Sequence, residues 1–335
     1  MTNESRIGQT FHGCTIRRLL GRGAKGVVYE AHQSSLDRSV AVKLLPRGVG
    51  DEGIKTLMAE ARALAKINAP NVLKVYEVGV EQDTPFIIME YLEGETLQQR
   101  MNRAGKLPVE AVLKLASEVA EGLSAAHRAR IIHRDLKPSN VFLRPSQALK
   151  IIDFGLAYLA ADGRESGGTP EFMAPEQWKF AAVDGRTDLY ALGLMMFRML
   201  TGRSAFGGTT LQEMANEHLK KRIPLPLTHS PKVSHFFAII EQLAQKDPAA
   251  RYPTATIARE DIERLRAGQR PQAAQQYGAP IVCDVCDEQN APNAATCPCG
   301  HDLGSANIKV EELLPDPPAP QKQAKYPKGI KKRLR

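Results

Sequence analysis

Three sets of residues in this chain have the types and spacing to do chemistry. The first is Gly21-Arg22-Gly23-Ala24-Lys25-Gly26-Val27-Val28, a G-x-G-x-x-G-x-V run. Glycines lack the Cβ that would keep a backbone away from phosphate groups or forbid positive φ. Taken alone, the run reads equally well as a phosphate cradle or as a tight hairpin. A dinucleotide-binding loop must open a helix, whereas Val27-Val28-Tyr29-Glu30 continues as strand. The second set is Lys43, closing the alternating Val40-Ala41-Val42-Lys43, with Glu60 in the helix-forming stretch that follows. A lysine so placed is ordinarily a solvated strand-edge residue; paired with Glu60, it could aim its ammonium at two phosphates. The third set is Cys283-Asp284-Val285-Cys286 with Cys297-Pro298-Cys299-Gly300-His301. Four clustered thiols suggest a local metal site rather than a disulfide framework, and thiolates at tetrahedral spacing suit Zn²⁺. So short a segment cannot bury a core, so metal would have to supply its folding energy. The second half reads C-x-C, one residue short of the usual knuckle. Either Cys297 and Cys299 both ligate with strain, or His301 replaces one of them; free or redox-active thiols are the alternative.

The elements that must hold these groups follow from hydrophobic periodicity. Segments 15–20, 27–32, 40–45, 73–80 and 86–91 carry β-branched and aromatic residues between turn signals and read as strands. Between the third and fourth, 52–67 has good helix formers with apolar Leu57, Ala61 and Leu64. Beyond Leu97 the pattern turns helical: Val112, Leu115, Ala116, Val119, Leu123 and Ala126 mark one buried face. Helical character returns at 187–201, 211–220, 233–243 and 255–265. A small β-rich lobe therefore precedes a larger helical one, an α+β arrangement. Residues 268–280 are rich in Gln, Ala, Pro and Gly and read as a linker. The cysteine segment occupies 281–304, and 305–335 is a Pro-rich, then basic, disordered tail.

The stretch Ile131-Ile132-His133-Arg134-Asp135-Leu136-Lys137-Pro138-Ser139-Asn140-Val141 is followed by Asp153-Phe154-Gly155, then Gly168-Thr169-Pro170-Glu171 and Ala174-Pro175-Glu176. With the glycine run, Lys43 and Glu60 before it, this ordered set resembles the eukaryotic-like (Hanks-type) Ser/Thr protein kinases. The resemblance covers 8–267 and implies the bilobal protein kinase fold, with a small zinc-ribbon-like module after it. It also implies residue roles. Asp135 would accept or orient the substrate hydroxyl, and Lys137 would neutralise charge on the moving phosphoryl. Asn140 and Asp153 would hold Mg²⁺ (or Mn²⁺), while Lys43, oriented by Glu60, would hold the ATP α/β-phosphates. Gly21, Gly23, Gly26, Val28 and Ala41 belong to the implied nucleotide site, as do Glu90 and Leu92 of the hinge beside the gatekeeper Met89. Glu93 or Glu95 would reach the ribose or be solvated. Leu64, Val75, His133, Phe154 and Asp188 would stack between the lobes, and Arg251 would pair with Glu176. Lys137 and Gly168-Thr169-Pro170 resemble Ser/Thr rather than Tyr kinases, Thr169 lining the acceptor site; Leu156 hints at serine. Autophosphorylation is expected with protein phosphorylation.

Arg134 beside the catalytic Asp commonly requires a phosphothreonine partner in this family. Four residues before Thr169 stands Glu165, next to Ser166. Either Glu165 substitutes for the phosphate, or it is a solvated acid beside a regulated Ser166. Lys25, at the tip of the glycine loop, would touch phosphate or be solvated. A pseudokinase or scaffold is the non-enzyme alternative, but it would typically lack one of Lys43, Asp135 or Asp153. A small-molecule phosphotransferase would not need the Gly-Thr-Pro-Glu and Ala-Pro-Glu segments.

Composition bounds the rest. The 335 residues are 43% hydrophobic and 24% charged, ordinary for a folded chain with a sizeable core. There is no apolar run long enough for a transmembrane segment and no signal-peptide pattern at the start, so a cytoplasmic location is expected. The net charge is +8, but the last fourteen residues hold seven Lys/Arg and no acid; subtracting that +7 leaves the body at +1. The basic tail could touch an anionic membrane surface or nucleic acid, could recruit protein substrates, or could be a solvated end. Histidines other than His133 and His301 carry no motif.

Overall fold

The computed structural model describes residues 6–23, 26–46, 51–81, 84–145, 147–154, 168–226, 230–278, 280–283, 285–291 and 294–303. Lys25, Gly155, Leu156, Glu165, Ser166 and the tail lie outside the described residues. The first lobe is an antiparallel sheet of β1 (Thr10–Phe11), β2 (Cys14–Gly23), β3 (Gly26–Gln33), β4 (Arg38–Leu44), β5 (Val75–Glu81) and β6 (Thr84–Glu90), in the order β1-β2-β3-β4-β6-β5. Alternation sorts its residues onto two faces. Phe11, Ile16, Tyr29, Val40, Val42, Phe86 and Ile88 form one core on the outer face. Ala41, Val75, Ile87 and Met89 join the main core on the other. That same alternation carries Lys43 to the inner face with Ala41, its partners across the ladders being Val28 and Ile87. Helix α1 (Asp51–Ala65) packs against β5 through Ala61 and Leu64.

The second lobe is helical: α2 (Leu97–Ala104), α3 (Val109–Arg128), α4 (Pro175–Trp178), α5 (Gly185–Thr201), α6 (Leu211–Lys220), α7 (Pro231–Leu243) and α8 (Ala255–Arg266). Against α2 and α3, β7 (Glu95–Thr96), β8 (Val141–Leu143) and β9 (Lys150–Ile151) make a small sheet. Helix α5 is buried nearly all round, as expected of a helix apolar on every face. Asp184 caps its first turn, and Gly202, at φ 71°, ends it in the left-handed region where a Cβ is strained. The β-rich and helical lobes thus appear where periodicity put them.

Two segments differ from their sequence reading. The strand expected from 73 begins at Val75, because Val72 and Leu73 pair with Ile151 of β9 instead: Leu73 N donates to Ile151 O at 3.0 Å. The first lobe is therefore stitched to the second at that point. The stretch 268–280, read as a linker, is packed for much of its length. Ala273 and Ala274 are buried, and the amides of Gln272 and Ala273 donate to the Asp261 carboxylate at 2.6 and 2.9 Å. A polar composition hid a docking carried by two alanines and one buried acid. Beyond it, β10 (Ile281–Val282) and β11 (Gln289–Asn290) form a hairpin with its own small core of Ile281, Cys283, Cys297 and Leu303.

Candidate active site

The inner face of the first sheet and the loops of the second lobe bring the motif residues to one cleft. Gly21, Gly23 and Gly26 lie on the β2–β3 hairpin, with Gly21 opposite Val28 and Gly23 opposite Gly26. Their reasons for being glycine differ. Gly26 sits at φ +118°, and a Cβ there would meet Leu44 O at 2.1 Å, so the backbone demands glycine. A Cβ on Gly21 or Gly23 would meet nothing within 4 Å, so the fold itself does not require glycine there. Ala41 is buried opposite Met89, and Leu92 is partly buried against the main core.

Lys43 is 3% exposed, and its Nζ bonds Asp153 Oδ1 at 2.7 Å. A buried ammonium without a carboxylate would be costly, and Asp153 supplies that partner. The partner expected from the sequence was Glu60. In the structure Glu60 instead faces Arg134, with 4.0 Å between Oε1 and Nη1. Burial pushes the Glu60 carboxyl up, and the Arg134 charge pulls it back only in part. The Lys43–Glu60 pair is thus unmade in this conformation, each group having taken a nearer counter-charge. Lys43, Glu60, Asp153, Phe154, Leu64 and Met89 all line the same pocket.

Asp135 is buried and bonded on both oxygens. Thr169 Oγ1 donates to Oδ1 at 2.9 Å, Lys137 Nζ lies 3.0 Å from Oδ2, and Lys137 Nζ also donates to Thr169 Oγ1 at 2.6 Å. Asn140 Nδ2 donates to the Asp135 carbonyl at 2.8 Å, and the Asn140 carbonyl accepts from Ile152 N at 2.9 Å, one residue before Asp153. Arg134 and Asp153 both hold positive φ, at 64° and 62°, unfavourable for non-glycine residues and tolerated where surroundings over-determine the backbone. His133 stacks on Phe154 with ring centroids 4.7 Å apart, and its Nε2 meets Ile152 O at 2.9 Å.

Some supports of the site gave no signal in the sequence, and other residues singled out there take partners of their own. Asp188, read only as part of the stack between the lobes, accepts from the amides of His133 and Arg134 at 2.8 and 2.9 Å and from His127 at 2.8 Å. It thereby fixes the turn that carries Asp135. Gln177 donates to Arg134 O at 2.8 Å. Glu90 turns its carboxylate to Lys150 at 2.8 Å and to the Lys74 amide at 2.6 Å. Glu95 is taken up by Arg103 and Arg100, whose hydrogen bonds hold its carboxyl at about 2. Arg251, with its side chain fully buried, pairs with Glu176 at 2.7 and 2.8 Å as the sequence suggested. Burial pushes Glu176 up, but the bonds from Arg251 and Thr187 outweigh it and leave the carboxyl below its usual range.

The four thiols of Cys283, Cys286, Cys297 and Cys299 all lie within 4.8 Å of one another. Two of the separations are 3.6 Å (Cys283 to Cys299) and 3.5 Å (Cys286 to Cys297). A tetrahedron with Zn–S bonds of about 2.3 Å has edges of roughly 3.8 Å, so the donor set fits that ion. The cluster holds both Cys297 and Cys299, and His301 is not part of it. Gly300, at φ +92°, supplies the backbone reversal after the shortened C-x-C.

Comparison with known proteins agrees with this geometry. The model of the protein kinase domain family matches residues 14–261. The serine/threonine-protein kinase PknB of Mycobacterium tuberculosis is 31% identical over 288 residues, covering 82% of this chain and 45% of that protein. The serine/threonine-protein kinase PrkC of Bacillus subtilis is 32% identical over 266 residues, covering 77% and 41%. A probable serine/threonine-protein kinase of Clostridium perfringens is 34% identical over 255 residues, covering 74% and 37%. The chain spans about two-fifths of the length of these relatives.

Proposed function

This chain belongs to the protein kinase domain family, and from that premise we propose that it transfers the γ-phosphoryl of ATP to Ser/Thr hydroxyls of proteins, its own included. The observation that carries the reading is the Asp135–Lys137–Thr169 cluster in one cleft with Asn140, Asp153 and Lys43. Asp135 is the one carboxylate in that cluster beside Thr169, so it is the group to receive or orient the acceptor hydroxyl proton. Lys137 holds positive charge beside it, where negative charge develops on the transferred group. Lys43 reaches the nucleotide phosphates from the inner face of the sheet, with Gly21 and Gly23 leaving space above them. Asn140 and Asp153 offer an amide and a carboxylate oxygen, hard donors that suit Mg²⁺ or Mn²⁺ and would hold it. When bound, such an ion neutralises phosphate charge and orients the reacting group. The backbone of residues 90–92 faces the adenine. In the catalytic conformation Glu60 takes Lys43 from Asp153.

Four thiols in a near-tetrahedral set support a structural Zn²⁺ in 281–304, with His301 outside the ligand set. A cytoplasmic working place and a contact between the basic tail and an anionic membrane or nucleic acid are the remaining parts of the reading. No described helix is long and apolar enough to cross a membrane. The test is transfer from radiolabelled ATP to generic protein acceptors, comparing the wild type with Asp153→Asn. Label on protein that the variant abolishes is the expected result. Partner binding without any transfer would favour a scaffold.

A further inference from the structure

Away from the cleft between the lobes, a second cleft of about 750 Å³ opens between α3, α8, the turn at 70–71 and residues 144, 147 and 148. None of the residues given a catalytic or nucleotide role lines it. Its cations are Lys114, Arg144, Arg259 and Arg266, and its carboxylates are Glu118, Glu121 and Glu263. The carboxylates are already engaged. Glu118 accepts from the Leu149 amide at 2.9 Å, Glu121 from Arg259 at 2.8 Å, and Glu263 from Arg266 at 2.6 Å and from Ser117. The cations are not all used. Among the described residues Lys114 and Arg144 make no ion pair, whereas Arg259 is paired with Glu121 and only its buried Nε has no hydrogen-bond partner. Lys114 and Arg144 thus present charges that no carboxylate of the cleft neutralises, so an anion entering here would make charge-assisted hydrogen bonds.

We propose that this cleft binds a phosphorylated segment of a protein, with Lys114 and Arg144 donating to the phosphate oxygens. A phosphate matches such a donor set because it supplies several acceptor oxygens and about two charges at one point. The mixed walls select the class of ligand. No aromatic ring lines the cleft on which a nucleobase could stack, and with Arg259 and Arg266 already paired to carboxylates only two cations are left, too few to track a densely anionic polymer. A peptide with one phosphate among neutral or basic side chains fits both halves. The site would dock substrates that already carry a phosphate. That docking role rests on the phosphotransfer reading, whereas binding itself is measured without ATP.

The experiment is fluorescence anisotropy of a labelled short lysine- and alanine-containing peptide bearing one phosphoserine, with the full chain and no nucleotide. The double variant Lys114→Glu/Arg144→Glu, with an unfolding midpoint equal to the wild type's, is expected to weaken binding roughly tenfold or more, since each charge-assisted bond is worth about 1.5–3 kcal/mol. The unphosphorylated peptide should bind at least roughly tenfold more weakly than the phosphorylated one on the same scale. Equal binding of the two peptides would overturn the proposal, and so would phosphopeptide binding that survives the double substitution. Displacement by a single-stranded oligonucleotide in preference to excess unlabelled phosphopeptide would overturn the choice of ligand.

Discussion

Asp135 shows how a carboxylate is held in place. Lys137 and Thr169 each approach one of its oxygens, while Asn140 holds its carbonyl. Replacing it by Asn keeps the shape but removes the group proposed as proton acceptor, so Asp135→Asn is expected to lower kcat by roughly 10²–10⁴-fold. Steady-state assays with saturating ATP should find KM for ATP little changed. Arg251 acts by a different means. Its guanidinium is fully buried and its loss would strand the Glu176 carboxylate in the core. Arg251→Ala should therefore destabilise the chain by about 3–5 kcal/mol, measured by urea unfolding. The Arg251–Glu176 pair was legible because both ends stand in ordered motifs. The partner of Lys43 was not. A motif names the groups in a site but leaves open which of two nearby carboxylates, Glu60 or Asp153, holds the ammonium in a given conformation. Lys150 and Glu90 were opaque for a related reason: a single charged residue has no periodicity, and their pairing joins positions 60 residues apart.

At the scale of elements, α5 and α6 combine support with sensitivity to pH. Helix α5 delivers Asp188 to the catalytic turn and, two residues on, Tyr190 to the packing with α6. There Tyr190 bonds His218 Nδ1 at 3.0 Å, and Phe206, Trp178 and Lys246 complete the surroundings. Burial, with the Lys246 charge adding to it, pushes the His218 ring down to about 3 from 6.5. Between those values the unfolded chain binds the proton and the folded chain does not. Stability therefore falls as pH drops from about 6.5 towards 3, with a slope approaching about 1.4 kcal/mol per pH unit from this residue. His218→Asn should remove that slope in urea titrations across the window, even if it is less stable at neutral pH. Lys246 works with the same sign in the alkaline range: burial lowers it to about 8 from 10.5, so its contribution to stability rises with pH between them. The helix itself was visible as 211–220 in the sequence, but His218 bore no motif. Its environment is built by residues from α4, α5 and the 203–206 and 244–246 loops, which no local pattern connects.

The whole molecule joins two unequal units that owe their folding to different forces. The kinase lobes share a continuous apolar core that runs from Ala41 to Ala274, reaching past α8 into the stretch whose composition suggested a linker. Among its described residues the cysteine segment has a small core of its own, Ile281, Cys283, Cys297 and Leu303 with Ala294 packed against it. That is far too little apolar area to offset the entropy of ordering it, which is the ground for the proposed Zn²⁺ on its four thiols. Chelation should therefore divide the molecule. After treatment with a strong zinc chelator, or in Cys283→Ser, limited proteolysis is expected to cut beyond Gly278 while the lobes up to Tyr277 stay protected. The main unfolding midpoint should hold, because Ala273, Ala274 and the Asp261 contacts belong to the larger core. Elemental analysis should find one zinc per chain in the untreated protein and none in the cut form. A main midpoint that falls with metal removal would show that the module stabilises the lobes as well as itself. Protection that persists without zinc would show that the thiols do not need the ion.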